Sequence, residues 1–428
     1  MTSLKNFKKL SFLVFGLGLT GESVIRFFKK NKITKYQVWD DNNKDLFKLK
    51  RATNLNKVLK EVDYIILSPG VSLYKSKNKD KLNKFKNKII TDIDLIFLLK
   101  KNFKSIVVTG TNGKSTTCKI IYHVLKKNNY KVLLGGNIGT PILNLNIKKN
   151  NFLVIEASSF QLAYSKYIKP DYALLLNITN DHIDWHGSMK NYINAKLKIF
   201  EFQKQNQHSF LNKKFKLTFK KRKLLGKLII PKIEEYQKLK SKIKNLYLRS
   251  GINDENMSFV FSLSKVLKIR KMSFLKSLNS FVGLPHRYEI FLKKKNNVFI
   301  NDSKATSFQA SKFALKNTNN IFWIVGGLPK KNDKIILKDL KKKIIKAYII
   351  GKNIKFFKSQ IENKVSFFVA KNLKSSIVQI IKDIKFSKKK NNSILFSPAA
   401  ASFDQYSNFE RRGDSFKKLS KFYARKYI

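Results

Sequence analysis

The stretch Ser105-Ile-Val-Val-Thr-Gly-Thr-Asn-Gly-Lys-Ser-Thr116 decides the fold class of this 428-residue chain. An apolar strand runs into a loop framed by two glycines, and an amphipathic, helix-length segment to about Lys127 follows. Backbone N–H groups of such a loop can cradle phosphates, Lys114 can reach the terminal phosphates and Ser115 can ligate Mg²⁺. Val108 stands where the regular GxxxxGK[ST] motif has its first glycine. The stretch nevertheless predicts a nucleoside triphosphate site in an α/β domain.

Apolar strand patterns alternate with helix-length patterns along the whole chain, as in α/β proteins with parallel sheets. We predict three domains: a Rossmann-like domain at 1–91, a central P-loop ATPase-like domain at 92–283 and a second Rossmann-like domain at 284–428. The lysine-rich segment 203–250 is predicted to be a surface loop region with short strands. The predicted strands are 11–15, 37–40, 64–68, 105–109, 152–156, 172–177, 298–301, 321–325, 347–350 and 393–397.

A second glycine motif, Gly16-Leu-Gly18-Leu-Thr-Gly21, follows the first predicted strand, and Asp40 closes the next strand. Glycines at this spacing let backbone N–H groups approach a pyrophosphate at a helix N-terminus. Taken alone, the motif and Asp40 favour a nicotinamide-dependent oxidoreductase. That alternative leaves the Lys114 loop without a role.

The charge balance is extreme, with 89 Lys and Arg residues against 27 Asp and Glu, a formal net charge of +62. A basic nucleic-acid-binding protein is therefore a further alternative. The lysines are spread over the whole chain, which favours a solvated coat on a globular enzyme without a specific nucleic-acid partner. The single cysteine, Cys118, cannot form an intrachain disulfide, which favours a reducing, cytoplasmic location. No apolar run reaches the roughly 20 residues needed to span a bilayer.

The loop Gly110–Thr116 resembles the ATP loop of the Mur ligase family, and the 16–21 motif with Ser68-Pro-Gly70 resembles its D-glutamate-adding members. The similarity runs from about Phe12 to Phe409. It implies an ATP-dependent ligase of peptidoglycan precursor synthesis, which joins D-glutamate to UDP-N-acetylmuramoyl-L-alanine through an acyl phosphate. It also implies two Mg²⁺ ions, a monomer and closure of the third domain onto the second. The alternative within the family is a Mur ligase that adds another amino acid. Residue spacing also does not distinguish a D from an L amino acid, so the assignment of D-glutamate rests on the resemblance.

The resemblance assigns roles to residues in the order of the family's motifs. Those given to catalysis are Lys114, His182, Lys196 and Lys304. Those given to Mg²⁺ are Ser115, Glu156, His182 and Lys196, the last as a carbamate formed with CO₂. Those given to ATP are Gly110, Thr111, Asn112, Gly113, Lys114, Ser115, Thr116, Asn253, Arg287 and Asp302. Those given to the UDP-sugar are Gly18, Leu19, Thr20, Asp40, Gly70, Asn137 and Ser158.

D-Glutamate carries two carboxylates, which need cationic and hydroxyl donors in a fixed geometry. The resemblance gives one carboxylate to Lys330 and Thr306, and the other to Ser402 and the backbone at Phe409.

The chain departs from the family's pattern at four positions. Ile252 replaces a histidine before Asn253, on the adenine side of the site. The other changes are Ala400 for a cysteine, Lys331 for a glycine and Ser307 for an asparagine. None removes a group that the chemistry requires.

Overall fold

Three sheets of mainly parallel strands carry the fold, which confirms the predicted α/β class. The structure, a computed structural model, describes residues 4–42, 50–99, 102–137, 139–330, 333–387, 389 and 391–428, and only the backbone of Ile252. The chain divides into two compact units, 1–281 with two sheets and 282–428 with one. The finer division into domains at 1–91, 92–283 and 284–428 stays a prediction. No helix among the described residues is long and apolar enough to cross a membrane.

The first sheet has the strand order β2-β1-β3-β4, and all its pairs are parallel. Its central strand, Phe12–Phe15, is buried at every position, as expected of an apolar run in a sheet covered on both faces. Its elements are α1 (Leu4–Phe7), β1 (Phe12–Phe15), α2 (Leu19–Lys30), β2 (Tyr36–Trp39), α3 (Leu55–Glu61), β3 (Tyr64–Leu67), α4 (Lys79–Lys84) and β4 (Ile89–Ile90).

The second sheet is also parallel and has the order β10-β9-β8-β5-β7-β6. The buried helix α5 (Asp92–Leu98) precedes it. Its strands are β5 (Lys104–Thr109), β6 (Val132–Gly136), β7 (Phe152–Glu156), β8 (Tyr172–Leu175), β9 (His208–Leu211) and β10 (Lys227–Ile229). Its helices are α6 (Lys114–Lys127), α7 (Ser159–Tyr164), α8 (Ile183–His186), α9 (Met189–Leu197), α10 (Lys216–Lys221), α11 (Ile233–Gln237), α12 (Leu246–Arg249), α13 (Asp254–Val266) and α14 (Lys271–Asn279).

The prediction for 203–250 was right in its short strands and wrong in treating the region as a surface loop. Strand β9 pairs with β8 and carries the fully buried Phe210 and Leu211, and β10 pairs with β9. The helices that follow bury Tyr236 and Leu248. The many lysines of the segment obscured these apolar residues, although the segment is part of the core of the first unit.

The third sheet has the order β11-β12-β16-β13-β14-β15, with only β11 antiparallel to its neighbour. The buried strand Ile321–Gly326 lies between its two parallel neighbours. Its strands are β11 (Glu289–Lys294), β12 (Asn297–Asn301), β13 (Ile321–Gly326), β14 (Ile344–Ile350), β15 (Phe367–Lys371) and β16 (Asn392–Phe396). Its helices are α15 (Phe308–Lys316), α16 (Ile354–Ile361), α17 (Leu373–Lys385) and α18 (Phe409–Tyr427). In all three sheets the predicted site residues cluster at the carboxyl ends of parallel strands, where α/β proteins bind ligands.

Candidate active site

The phosphate loop joins β5 to α6, as the sequence predicts. Gly113 has a φ of +84° and caps α6, and a Cβ there would lie 2.3 Å from the side-chain oxygen of Asn256. Only glycine fits this position. Ser115 and Thr116 follow in the first turn of the helix, whose N-terminus favours anions.

Two lysine amines converge on one carbonyl of this loop. Lys114 donates from Nζ to the carbonyl oxygens of Gly110 at 2.9 Å and Thr111 at 2.8 Å. Lys196, from α9, donates to the Gly110 carbonyl at 2.7 Å and is almost completely buried. Burial, followed by the charge of Lys114, lowers the pKa of Lys196 to about 6. Lys196 is therefore largely an uncharged amine at neutral pH, unlike the solvated lysines that make up most of this sequence.

Residues after β8 and on helix α9 also form hydrogen bonds with the phosphate loop. Asn177 accepts from the backbone N–H groups of Thr111 at 2.9 Å and Asn112 at 2.8 Å. The Thr111 hydroxyl lies 2.8 Å from the hydroxyl of Tyr192, and the Lys196 amine lies 4.7 Å from the centre of the Tyr192 ring. The loop is thus fixed by side chains as well as by its own backbone.

Glu156 is a buried carboxylate at the end of β7. Its Oε1 accepts a 2.9 Å hydrogen bond from Asn137, whereas its buried Oε2 has no partner among the described residues. The N-cap of α7 is Ser158, not Glu156. An anionic oxygen without a donor suits a hard cation such as Mg²⁺. Among the described residues, no three His, Cys, Asp or Glu side chains gather as metal ligands.

His182 lies on the second sheet's carboxyl side, at the N-terminal end of α8, with a left-handed backbone at φ +52°. Its ring lies 4.8 Å from that of Phe160 and 6.3 Å from that of Tyr192, between ring centres. Because Tyr192 also contacts Thr111 and Lys196, one aromatic ring links three of the predicted residues.

The two asparagines at the N-terminus of α13, Asn253 and Asn256, have different surroundings. The predicted ATP residue, Asn253, donates its amide to the Tyr247 carbonyl at 2.6 Å. Asn256 instead packs against Gly113, and its buried Oδ1 has no partner among the described residues. Of the two, Asn256 is therefore the side chain that the structure brings to the phosphate loop.

A cleft of about 330 Å³ opens at the carboxyl end of the first sheet. Asp40 and Gly70 line it, together with Lys75 and Asp184. The predicted residues Gly18, Leu19 and Thr20 lie at the N-terminus of α2. A Cβ on Gly21 would lie 2.0 Å from the Gly16 carbonyl oxygen, so the glycine turn is closely packed. Asp40 accepts from the backbone N–H of Leu17 at 2.6 Å, which ties the ends of β1 and β2.

Asn137 and Ser158, the other residues predicted for the UDP-sugar, lie at the ends of β6 and β7. Ser158 forms a capping box with Gln161, and the Gln161 amide reaches the buried Asp92 at 3.1 Å. Ile138, between Asn137 and Gly139, lies outside the described residues.

On the third sheet, Asp302 follows β12 and is buried. Its carboxylate accepts from the Ser397 hydroxyl at 2.7 Å and the Tyr288 backbone N–H at 3.1 Å. Burial raises the pKa of Asp302 to about 7, and Arg287 opposes this rise electrostatically. Arg287 is thus close enough to Asp302 for the two predicted ATP residues to interact.

The residues predicted for the amino acid lie on loops at the same end of this sheet. The Lys304 amine lies 4.6 Å from the centre of the Phe409 ring, and the Ser303 hydroxyl donates to the Phe409 carbonyl at 2.8 Å. Leu328 pairs with Ala401, which joins the segment of Lys330 to that of Ser402. Thr306 precedes α15. Lys331 lies outside the described residues.

Four residues that the sequence did not assign take part in these contacts. Tyr192 stands four positions before Lys196, so helical spacing could have placed both on one face. Asn177 and Asn256 stand close in sequence to the assigned residues His182 and Asn253. The buried His186, which is 3.0 Å from the Ser159 hydroxyl, gave no separate signal.

Comparison with known proteins shows the family of the chain. Residues 10–90 match the Mur ligase MurD-like N-terminal domain, and residues 108–273 match the Mur ligase middle domain. The UDP-N-acetylmuramoylalanine–D-glutamate ligase of Rickettsia prowazekii is 35% identical, covering 97% of this chain and 98% of the relative. The chain belongs to this branch of the Mur ligase family. The enzyme of the same name from Buchnera aphidicola is also 35% identical, over 96% of this chain and 97% of the relative.

Solved Mur ligase structures share the fold. A MurF ligase from Thermotoga maritima, in complex with ADP, superposes with a TM-score of 0.58 at 17% identity, covering 100% of this chain and 98% of that chain. The MurC ligase of the same organism gives 0.55 at 16% identity, covering 96% and 99%. The family predicted from the motifs is therefore confirmed, whereas the roles of single residues stay predictions.

Proposed function

We propose that this Mur ligase joins D-glutamate to the L-alanyl carboxylate of UDP-N-acetylmuramoyl-L-alanine, with conversion of ATP to ADP and phosphate. The observation that carries the proposal is made in the phosphate loop of a chain of this family. The amines of Lys114 and Lys196 both donate to the Gly110 carbonyl, and Thr111 of the same loop contacts Tyr192. The reaction belongs in the cytoplasm, and the scattered lysines call for no nucleic-acid partner.

A carboxylate does not react with an amine at a useful rate until it is activated. The carboxylate oxygen attacks the γ-phosphorus of ATP, the bond to the ADP oxygen breaks, and an acyl phosphate forms. The D-glutamate amine then attacks the acyl carbon, phosphate leaves and the amine loses a proton. Lys114 and the α6 N-terminus balance the charge that develops on the phosphates, so the protein acts mainly by positioning and electrostatics.

Glu156 and Ser115 are the residues proposed to hold Mg²⁺ beside the phosphates, with His182 and a modified Lys196 as further ligands. The unpartnered Oε2 of Glu156 supports this set. When bound, Mg²⁺ neutralises phosphate charge.

Lys196 is proposed to carry the carbamate. An uncharged amine adds to CO₂ and releases a proton, which converts a lysine into an anionic oxygen ligand. The burial of Lys196 and its lowered pKa support this chemistry, because a charged ammonium has no lone pair to react.

For the nucleotide and the sugar, the proposal keeps Asn253, Arg287 and Asp302 for ATP. It adds Asn256, because that side chain packs against Gly113. The cleft lined by Asp40 and Gly70 is proposed for the UDP moiety. Lys330, Thr306, Ser402 and the Phe409 backbone are proposed to bind the amino acid.

The deciding experiment measures phosphate release from ATP with UDP-N-acetylmuramoyl-L-alanine and one of four amino acids. We expect turnover with D-glutamate, and little with L-glutamate, L-lysine or meso-diaminopimelate. Preference for another amino acid would support the rival within the family, and no turnover with any of them would overturn the proposal. In parallel, Lys196→Ala should abolish acyl phosphate formation and leave UDP-sugar binding intact.

A further inference from the structure

Arg412, in the first turns of α18, is a buried guanidinium that the reaction scheme leaves without a role. It is only 2% exposed. Its Nε donates to the Ser303 hydroxyl at 3.1 Å, and its Nη2 donates to the carbonyl oxygens of Ser303 at 2.7 Å and Ala400 at 2.9 Å. The guanidinium carbon lies 5.7 Å from the centre of the Phe396 ring.

Burying this cation is costly. Within the described part of the chain, no carboxylate lies at salt-bridge distance from Arg412, and its buried Nη1 has no acceptor. Desolvation lowers the pKa of Arg412 to about 10, which still leaves it charged at neutral pH. Burying a charge that forms no salt bridge is unfavourable. Simple packing would be served better by an apolar side chain of similar volume.

The partners of Arg412 lie on the loops that carry the proposed amino-acid site. Ser303 lies between Asp302 and Lys304, and its hydroxyl also donates to the Phe409 carbonyl. Ala400 lies two residues before Ser402.

The remaining face of the guanidinium meets the segment that leads to Lys330. Nη1 would lie 3.2 Å from a Cβ placed on Gly327, so this nitrogen packs close to the glycine backbone. The Arg412 side chain therefore contacts the three loops that follow β12, β13 and β16. Through the Ser303 hydroxyl it is also linked to the Phe409 carbonyl at the start of its own helix, α18.

We propose that Arg412 is a positioning residue for the amino-acid substrate, which holds Lys330, Ser402 and the Phe409 backbone in register to receive two carboxylates. This inference rests on the proposed function. Arg412 acts through Ser303, Ala400 and Gly327 and makes no contact with the reacting atoms. Its planar fork suits this task, because it binds two carbonyls and a hydroxyl in fixed directions, which a lysine ammonium cannot do. Misplacement of substrate groups by about 1 Å can cost 100-fold in rate.

The test compares Arg412→Met and Arg412→Lys with Arg411→Met, which removes an exposed charge from the same helical turn. Steady-state assays on the full chain give the KM for D-glutamate, ATP and the UDP-sugar. Hydroxylamine trapping, with D-glutamate omitted, measures acyl phosphate. We expect Arg412→Met to raise the KM for D-glutamate at least about 10-fold. Arg412→Lys should fall between it and the wild type, while acyl phosphate and the other KM values stay near normal.

Equal losses in acyl phosphate formation and in D-glutamate use would contradict the proposal, because they would show a general structural role. If Arg412→Met does not fold, the KM of Ser303→Ala for D-glutamate tests the proposal instead. That variant removes only the hydroxyl between Arg412 and Phe409, and an unchanged KM for D-glutamate would then refute the inference. Failure of the proposed function is distinguishable, because the wild-type protein itself would release no phosphate with D-glutamate.

Discussion

The hydroxyl groups of Thr111 and Tyr192 lie 2.8 Å apart, so that helix α9 is joined to the phosphate loop by a side-chain hydrogen bond. Tyr192→Phe removes this bond and leaves the ring over Lys196. We expect the free energy of unfolding to fall by about 1 kcal/mol and kcat/KM for ATP to fall several-fold. Chemical denaturation and ATP titration measure the two effects. Tyr122→Phe on α6 serves as the control, and equal ATP kinetics in both variants would contradict the prediction.

The buried amine of Lys196 should make stability depend on pH. Because its pKa is about 6 when folded and near 10.5 when unfolded, the unfolded chain binds more protons between these values. The wild type should therefore gain stability relative to Lys196→Met as pH rises from 6 towards 9, by an amount on the order of a few kcal/mol. Urea denaturation in CO₂-depleted buffer measures this difference. A difference that is flat with pH would show that Lys196 has an ordinary pKa.

The Glu156 oxygen that has no partner among the described residues predicts a magnesium-dependent gain in stability. Mg²⁺ with ADP should raise the Tm of the wild type, and this rise should be much smaller in Glu156→Gln, which keeps the shape and loses the charge. Ligation should fall by about 100-fold or more, the scale of losing one electrostatic stabiliser. Glu255→Gln, at a carboxylate that accepts from Asn212, is the control. A full Mg²⁺ response in Glu156→Gln would exclude Glu156 as a ligand.

Lys330→Ala should weaken the use of D-glutamate by about two to three orders of magnitude, the effect of removing one preorganised charge donor. Acyl phosphate formation without D-glutamate should persist. Lys334→Ala removes an exposed lysine four residues further along and should have little effect. Near-normal turnover with D-glutamate in Lys330→Ala would remove that lysine from the site.

Strong local patterns allowed most of the fold to be predicted from sequence. The strand predicted at 152–156 is the observed β7, and β1, β3 and β13 end within one residue of their predicted limits. Continuous apolar runs give such strands a clear signal. Strands β9 and β10 were expected only as short strands without set limits, because the few apolar residues of each show no clear period.

The residues of the candidate site were predicted through motifs, which record chain order and not contacts. Lys196 was assigned, although neither its burial nor its lowered pKa follows from a short segment rich in lysine. Asn256 and Arg412 were missed as contributors, since their importance comes from Gly113 and Ser303, which are distant in sequence. Contacts of this kind depend on how the loops of one sheet converge.

Strand β10 lies at a sheet edge where lysines oppose pairing with another chain. It is the edge of the second sheet, spans only three residues and begins at the exposed Lys227. An exposed sheet edge is a template on which another chain can add a strand, and short strands with lysines discourage such pairing. The basic run Lys220-Lys-Arg-Lys223, just before it, adds like-charge repulsion between copies. The same residues that hide this strand from sequence patterns thus protect it from aggregation.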